Sequence, residues 1–284
     1  MATSTAAHGG GGAALRSRRE EPRHRWDSVL GCLTARAFGS GIVIGRWHDV
    51  RMDAVVNLLA RRVYGIAQVD RILGLTSGTA RRWIDGYKRG GREFAPVVRP
   101  SATGDESVTW GEFVETRLLA EYRDAGVPLI RMRPAIVRLR EELGTLYPLA
   151  SAKAWLRPEG RELIGQIQDE VGLERRLRIV IRNGQGLFDW SEEALDFQRS
   201  AEWTGSGVDA QLSAIRPVSA IKDVLIDPLR SFGEPVVRGV RTDVIAELVR
   251  AGDTPDMIAE LYELPRSLVD AAVRYELQRA VAAS

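Results

Sequence analysis

Cysteine and histidine are scarce in this chain of 284 residues, and their scarcity excludes several kinds of chemistry. The single cysteine, Cys32, rules out a disulfide framework within the chain and suits a reducing compartment, so we expect a cytoplasmic protein. All three histidines lie within the first 48 residues, and no Cys/His cluster has metal-ligand spacing. Ser-His or Cys-His catalysis would depend on that same segment. We therefore predict no enzymatic activity, no metal and no cofactor.

Long apolar runs are also missing. None approaches the roughly 20 residues that a membrane-spanning helix needs, and no apolar stretch followed by a small-residue cleavage site marks a secretory signal. The glycine-punctuated segment Gly39–Gly45 lacks the Lys-Ser/Thr pair of a phosphate-binding loop. With 44% hydrophobic and 27% charged residues, the composition indicates a soluble globular protein without a membrane partner.

The first 51 residues show no sustained helical or strand period. They contain eight arginines and the run Gly9–Gly12. Two interpretations stay open: a disordered basic leader, or a true start at Met52, just before the first recognisable folding pattern. Both interpretations place the functional part of the chain after residue 51.

Local charge is more informative than the total of +2. Residues 61–99 contain nine Lys/Arg and three Asp/Glu, a net of +6. Within them, residues 63–87 have the pattern of a helix-turn-helix, in which Gly74 ends the first helix and Ser77 or Thr79 caps the second. The apolar stripe of the first helix recurs at Ile66, Val69, Ile72 and Leu73.

This basic helix-turn-helix predicts an interface with double-stranded DNA. The second helix would enter the major groove while basic residues after it hold the phosphate backbone. Trp83 falls on the side of Ile66 and Leu73, which predicts a core anchor rather than a base-stacking residue. The alternative is an ordinary helical hairpin with a solvated basic face. The candidate DNA-binding residues are Ser77, Thr79, Arg81, Arg82, Lys88, Arg89 and Arg92.

The segments around this motif predict a small winged domain. A short lead helix is expected over Val55–Leu59. Extended pieces at residues 94–98 and 108–110, around a polar break, predict a β-wing with Arg92 and Arg99 near the DNA backbone. Helices are expected over residues 110–124 and 127–145, although Pro134 would kink the second one.

In the central part of the chain, the spacing of apolar residues changes from a helical period to the alternation typical of strands. Residues 148–176 predict a connector with one helix near 158–171. Residues 177–190 predict a β-hairpin whose Asn183-Gly184 pair suits a type I′ turn. We expect this hairpin and the helices at 110–145 to form the interface of a homodimer on a pseudo-palindromic site.

The last block predicts three helices, at about 243–251, 255–262 and 266–280. Gly252 suits the end of the first, while Thr254 and Pro255 suit the start of the second. The second helix-turn-helix pattern formed here differs from the first in charge, because residues 254–284 carry three arginines and five Asp/Glu. A net of −2 favours contact with protein over contact with DNA.

These motifs resemble a known architecture. Residues 64–98, with Leu73-Gly74-Leu75 and Arg82-Trp83, resemble the MerR-like helix-turn-helix of a group of VapB-type antitoxins, and residues 109–140 match the continuation of that domain. Residues 226–275 resemble domain of unknown function 433 through Asp227-Pro228 and the Pro235-x-x-Arg238-Gly239-x-Arg241 motif. The resemblance implies an antitoxin that represses its own operon and neutralises a PIN-like ribonuclease toxin.

The resemblance also implies an α+β fold, mainly α with small β elements. After the leader (1–51), we expect a MerR-like winged helix-turn-helix domain (52–145), a connector and small β hairpin region (146–225), and a trihelical, homeodomain-like toxin-binding domain (226–284). The alternative function is a MerR-like transcription regulator whose last domain senses a ligand or only oligomerises.

The expected toxin-binding residues are Glu234, Pro235, Arg238 and Arg241. The two arginines could insert into the carboxylate cluster of the PIN-like ribonuclease by bidentate pairing. Alternatively, they brace the C-terminal helices through Asp227 or Asp243.

Overall fold

The computed structural model describes residues 58–123, 128–207 and 210–283, where helices alternate with two-stranded antiparallel sheets. The chain divides into two units, Met1–Met52 and Asp53–Ser284, and the described residues all belong to the second. The predicted leader therefore lies outside the described residues, as does most of the predicted lead helix, of which the structure shows the 3-10 turn Leu58–Ala60.

Short elements dominate the first half of the described chain. The strands are β1 (Arg62–Gly65), β2 (Tyr87–Arg89), β3 (Arg92–Phe94) and β4 (Ser107–Thr109). The helices are α1 (Ile66–Leu73), α2 (Thr79–Ile84), α3 (Trp110–Glu121), α4 (Arg133–Leu143), α5 (Ala152–Trp155) and α6 (Pro158–Glu170). The helix-turn-helix predicted over residues 63–87 is thus present as α1 and α2.

The second half adds three hairpins and four helices within the described ranges. The strands are β5 (Val180–Arg182), β6 (Phe188–Trp190), β7 (Ala201–Thr204), β8 (Gln211–Ile215), β9 (Val236–Val237) and β10 (Val240–Arg241). The helices are α7 (Glu192–Ser200), α8 (Thr242–Ala251), α9 (Pro255–Leu261) and α10 (Arg266–Ala283). This mixture of helices and small antiparallel sheets confirms the α+β class.

Helix α3 lies at the centre of the first core. Thr109 accepts a hydrogen bond from the Glu112 N–H, and the Glu112 carboxylate accepts one from the Thr109 N–H, which closes a capping box. Residues 110–119 are all buried. The helix predicted over residues 110–124 is present, but its burial corrects the expectation that it lies in a dimer interface, because little of its surface is left for a second copy.

The prediction of one kinked helix over residues 127–145 is wrong. A 3-10 turn, Leu129–Met132, comes first, and α4 begins at Arg133. Pro134 therefore falls in the first turn of α4, where a missing N–H and a fixed φ are compatible with a helix start.

The wing is present, but the predicted strand pairing is wrong. Strand β4 pairs with β1, not with the segment after Phe94. The hairpin is instead β2–β3, joined by Gly90 and Gly91 at φ 57° and 72°. Two successive residues at positive φ make a tight two-residue turn, which glycine adopts without strain.

The central hairpin β5–β6 confirms the strands predicted around residues 177–190 but not their turn. The Asn183 N–H donates to the Leu187 carbonyl oxygen, and the left-handed residue is Gly186 at φ 78° rather than the Asn183-Gly184 pair. Helix α7 was not predicted, although Ser191 at its N-cap followed by Glu192 and Glu193 is an ordinary helix-start signal.

Among the residues that the structure describes, buried apolar side chains form two clusters. The first extends from Leu58 to Ile226 and includes residues from the predicted connector, such as Leu149, Trp155 and Ile164. The second joins Ile221 and Val237 to the last three helices. Helices α8, α9 and α10 confirm the trihelical prediction.

Candidate nucleic-acid interface

The turn between α1 and α2 is organised by a buried aspartate. The Gly78 and Ala80 N–H groups donate to the Asp70 carboxylate at 2.7 Å each, so α2 is capped from α1. The prediction that Ser77 or Thr79 caps this helix is wrong, since its N-cap is Gly78 and no side chain of the turn accepts from its N–H groups. Burial raises the pKa of Asp70 despite these two hydrogen bonds.

The exposed face of α2 carries two arginines. Arg81 forms an ion pair with Glu106, and the Arg82 guanidinium donates to the Thr79 hydroxyl at 2.8 Å. Thr79 itself is buried, so it holds Arg82 in place and offers no free surface. Ser77 is exposed in the turn before them. Trp83 is half-buried and packs against the first core, as expected of an anchor.

The wing displays the remaining predicted cations. Lys88 lies 3.8 Å from Glu93 across the hairpin, whereas Arg89 and Arg92 stand directly opposite each other beside the glycine turn. The rings of Tyr87 and Phe94 stack with centroids 4.6 Å apart and stiffen the base of the wing. Like charges opposite each other destabilise a hairpin. An anion bound between the two arginines at the end of the wing would relieve that repulsion.

Arg99, expected near the DNA backbone, is instead a buried structural residue. Its guanidinium donates to Glu112 at 2.8 Å and to Asp85 at 3.0 Å, and also to the carbonyl oxygens of Asp105 and Ser107. Burial opposes the ionisation of Asp85, but hydrogen bonds from the Thr103 N–H and Arg99 outweigh it and hold the Asp85 pKa below its ordinary value. Arg99 thus ties the loop after the wing to the start of α3.

The predicted toxin-binding residues fall into buried and exposed pairs. Glu234 and Pro235 are buried. Arg241 donates two hydrogen bonds to Asp243, of 3.0 and 2.5 Å. This contact is the one expected if Arg241 braces the C-terminal helices and does not insert into the ribonuclease. Burial raises the pKa of Asp243, but Arg241 outweighs it and the net pKa is lowered. Arg238 is exposed at the tip of hairpin β9–β10, with φ 47°.

The structure also reveals a joint that sequence patterns did not predict. The Gln68 amide and the Arg71 guanidinium on α1 donate to the same Glu234 oxygen, at 2.6 and 2.5 Å. The Tyr275 hydroxyl on α10 donates to the Ile72 carbonyl oxygen at 2.7 Å. The helix whose Asp70 caps α2 is thereby bonded to the C-terminal block. Pairs separated by more than 160 residues leave no signal in local periodicity.

Two further observations limit the chemistry of the described residues. They contain no group of three or more His, Cys, Asp or Glu side chains that could hold a metal ion. Among the same residues, no helix is long and apolar enough to cross a membrane.

Two domain models match the chain. Residues 62–136 match a model described as "Putative DNA-binding HTH domain", which covers α1, α2 and the wing. Residues 224–275 match "Protein of unknown function (DUF433)". The expected resemblance to domain 433 is therefore confirmed.

Relatives occur in Mycobacterium tuberculosis. The uncharacterized protein Rv2308 is 37% identical over 238 residues, which cover 81% of this chain and 98% of that protein. A protein named "Putative antitoxin VapB45" is 29% identical over 227 residues, which cover 74% of this chain and 92% of that protein. The crystal structure of Rv2018 superposes with a TM-score of 0.59 at 25% identity, and the match covers 75% of this chain and 97% of Rv2018.

Proposed function

The chain belongs to the family of the Mycobacterium tuberculosis protein Rv2308, and on that premise we propose that it is a DNA-binding antitoxin of a type II toxin–antitoxin pair. The observation that carries the proposal is the basic surface formed by Arg81 and Arg82 on α2 and by Arg89 and Arg92 on the wing, within the DNA-binding domain match. The name of the relative VapB45 supports the same class of function.

In this proposal α2 enters the major groove as the recognition helix of a MerR-like winged helix-turn-helix. Arg82, oriented by Thr79, faces a base edge or a phosphate, and Arg81 exchanges its exposed ion pair with Glu106 for contact with DNA. The wing arginines, with Lys88, hold the backbone. A phosphate between Arg89 and Arg92 would relieve the repulsion of two like charges across the hairpin.

A six-residue recognition helix supplies few contacts, so we propose a homodimer on a pseudo-palindromic operator. The β5–β6 hairpin supports this role, because it leaves Ile181 and Leu187 37% and 62% exposed. Binding upstream of the chain's own operon would make the protein an autorepressor.

The C-terminal block is the proposed partner-binding part, and the partner is a PIN-like ribonuclease. The net charge of −2 over residues 254–284 disfavours contact of this block with a polyanion. Of the four residues expected at the toxin, exposed Arg238 is best suited to reach carboxylates on the partner. Glu234 and Pro235 are buried and would support the exposed loop from inside the protein.

The DNA part is tested with the double variant R81A/R82A and with DNA from upstream of the chain's gene. Operator binding should weaken by roughly 1–3 kcal/mol for each arginine that contacts a guanine. The matched control is R274A, an exposed arginine on α10, which should leave the affinity unchanged. Unchanged binding of the double variant in a gel-shift titration would overturn the placement of α2.

The antitoxin part is tested by co-expression with the gene beside that of this chain, whose product the proposal takes to be the ribonuclease. Growth should be rescued, and the two products should elute together in size-exclusion chromatography. DNA binding without rescue would favour the alternative, a transcription regulator whose last domain senses a ligand or oligomerises.

A further inference from the structure

An exposed apolar projection precedes the β9–β10 hairpin. We call residues Leu229–Phe232 the Phe232 tip. The Phe232 side chain is 88% exposed, more than any other large apolar side chain among the described residues, and Leu229 is 59% exposed. Single exposed apolar residues are common in proteins. Two on one short loop, one of them a phenylalanine, form a small apolar patch of the kind that marks interaction sites.

The backbone of the tip is strained. Ser231 and Phe232 have φ of 47° and 54°, and Gly233 follows at 73°. Residues with a side chain seldom adopt this left-handed conformation, and a bulky aromatic residue does so at a cost. Such strain persists where the surrounding structure enforces it, and it concentrates at functional positions. A glycine at position 232 would remove this cost.

The surrounding structure holds the tip in one conformation. At its start, the Leu229 N–H donates to the Asp227 carboxylate at 2.8 Å. At its end, the Tyr64 hydroxyl donates to the Gly233 carbonyl oxygen at 3.1 Å, and Glu234 is bound to Arg71. The aromatic ring is therefore presented on a preformed support, which lowers the entropic cost of binding through it.

The chemistry of the tip fits a protein partner. Arg230 is 81% exposed beside the apolar pair, and aromatic and arginine side chains dominate the energetics of protein interfaces. Asp227 lies 3.3 Å from the Arg230 guanidinium and offsets its charge, so the tip adds no net positive charge for a phosphate backbone. An apolar pocket with a carboxylate at its rim would accept Phe232 and Arg230 together.

We propose that the Phe232 tip is the anchor by which this chain holds its ribonuclease, with the Phe232 ring in an apolar pocket and Arg230 at an acidic rim. This assignment rests on the proposed function and moves the main contact from residues 234–241 to the loop before them. Because Gly233 and Glu234 are bonded to β1 and α1, the partner would sit beside the joint between the two blocks.

The test is the substitution Phe232→Gly in the full chain. Glycine adopts the left-handed conformation freely, so the thermal midpoint should rise or stay the same. Affinity for the purified product of the neighbouring gene, which the proposed function takes to be the ribonuclease, should fall about 30-fold or more in calorimetric titration, as expected for a buried aromatic anchor. Phe232→Tyr should retain most of the affinity.

The matched control is Leu146→Ser, which removes a 59% exposed apolar side chain from the loop after α4, and ribonuclease affinity should not change. Equal affinity of wild type and F232G would overturn the tip assignment and leave the proposed function standing. Failure of the wild-type chain to bind the ribonuclease would overturn the proposed function, and the tip assignment with it. If F232G lost operator affinity or dimer mass while binding the ribonuclease normally, the tip would belong to DNA or to a second copy, and the assignment would be wrong.

Discussion

Two helix–turn–helix units in the described part of the chain, α1–α2 and α9–α10, differ in cap and charge. Helix α2 is capped by buried Asp70, whereas α9 is capped by the hydroxyl of its own Thr254. The segment 61–99 around the first unit has a net charge of +6, and residues 254–284 have −2. Similar turns thus occur on surfaces of opposite sign. A turn between two helices therefore does not by itself identify a DNA-binding unit, and the charge of the surrounding surface has to agree with it.

The two cores differ in how they accommodate a buried carboxylate. In the first, the Leu149 N–H donates to one oxygen of Glu115 at 2.9 Å, while the other oxygen is buried without a hydrogen bond. In the second, one oxygen of Glu276 accepts from the Thr242 hydroxyl, and the other, which also lacks a hydrogen bond, lies 2.5 Å from the positively charged Arg279 guanidinium. Only the first arrangement leaves a charge largely uncompensated, so the two regions should respond differently to pH.

The largest expected effect is the pH dependence of stability caused by Glu115. Burial raises its pKa from 4.5 to about 8, although the Leu149 N–H and nearby Arg140 oppose the shift. Because the folded state then binds this proton more tightly than the unfolded state, stability should fall as pH rises from 4.5 to about 8. The substitution E115Q should remove this decline and gain on the order of 3–5 kcal/mol over wild type at pH 8.

Urea denaturation at several pH values between 5 and 8 measures this effect. E276Q is the matched variant in the second core, and it should keep the wild-type decline with pH while losing stability at every pH, since it breaks the contact with Arg279. Parallel pH profiles for wild type and E115Q would show that Glu115 is not the group responsible.

The two caps should differ in cost. Asp70→Ala removes two short charge-assisted hydrogen bonds and leaves the Ala80 N–H buried without a partner, so we expect a loss of roughly 2–3 kcal/mol. Thr254→Ala removes one exposed bond of 3.3 Å and should cost about 1 kcal/mol or less. Equilibrium denaturation gives both values. If Thr254→Ala lowered the free energy of unfolding as much as Asp70→Ala, the two caps would not differ in strength and the prediction would be wrong.

Elements defined by local chemistry could be predicted from the sequence. The stripe on α1 and the Gly252–Pro255 boundary both depend on neighbours within a few residues. For the same reason α1, α3 and the three C-terminal helices were found close to their observed bounds.

Features set by distant contacts could not be predicted. Asp70 resembles an ordinary polar residue of a helix, yet it accepts from N–H groups eight and ten residues later. Arg99 was assigned to DNA because it is basic, and only the fold shows the six hydrogen bonds that its guanidinium donates within residues 85–112. The sequence alone does not distinguish a solvent-exposed guanidinium from one that is buried and hydrogen-bonded inside the protein.

The candidate site was therefore predicted in outline only. Arg81, Arg82, Lys88, Arg89 and Arg92 are exposed, as a DNA-contacting set requires. Thr79 and Glu234 were selected for their sequence context, but their side chains are occupied inside the protein. Whether the exposed set contacts DNA stays a prediction.

The smallest expected effect concerns the coupling of the two blocks through Glu234 and Arg71. A double-mutant cycle with Glu234→Gln and Arg71→Met should give a coupling of about 0.5–1 kcal/mol, because Arg71 is 38% exposed and solvent screens the pair. The exposed pair Arg138–Glu142 within α4 is the control and should give no more than about 0.5 kcal/mol. Operator affinity should also fall slightly in the Glu234 and Arg71 variants, since α1 carries the aspartate that caps α2. Zero coupling, together with unchanged operator affinity, would mean that the basic and acidic units act independently despite the bonds that join them.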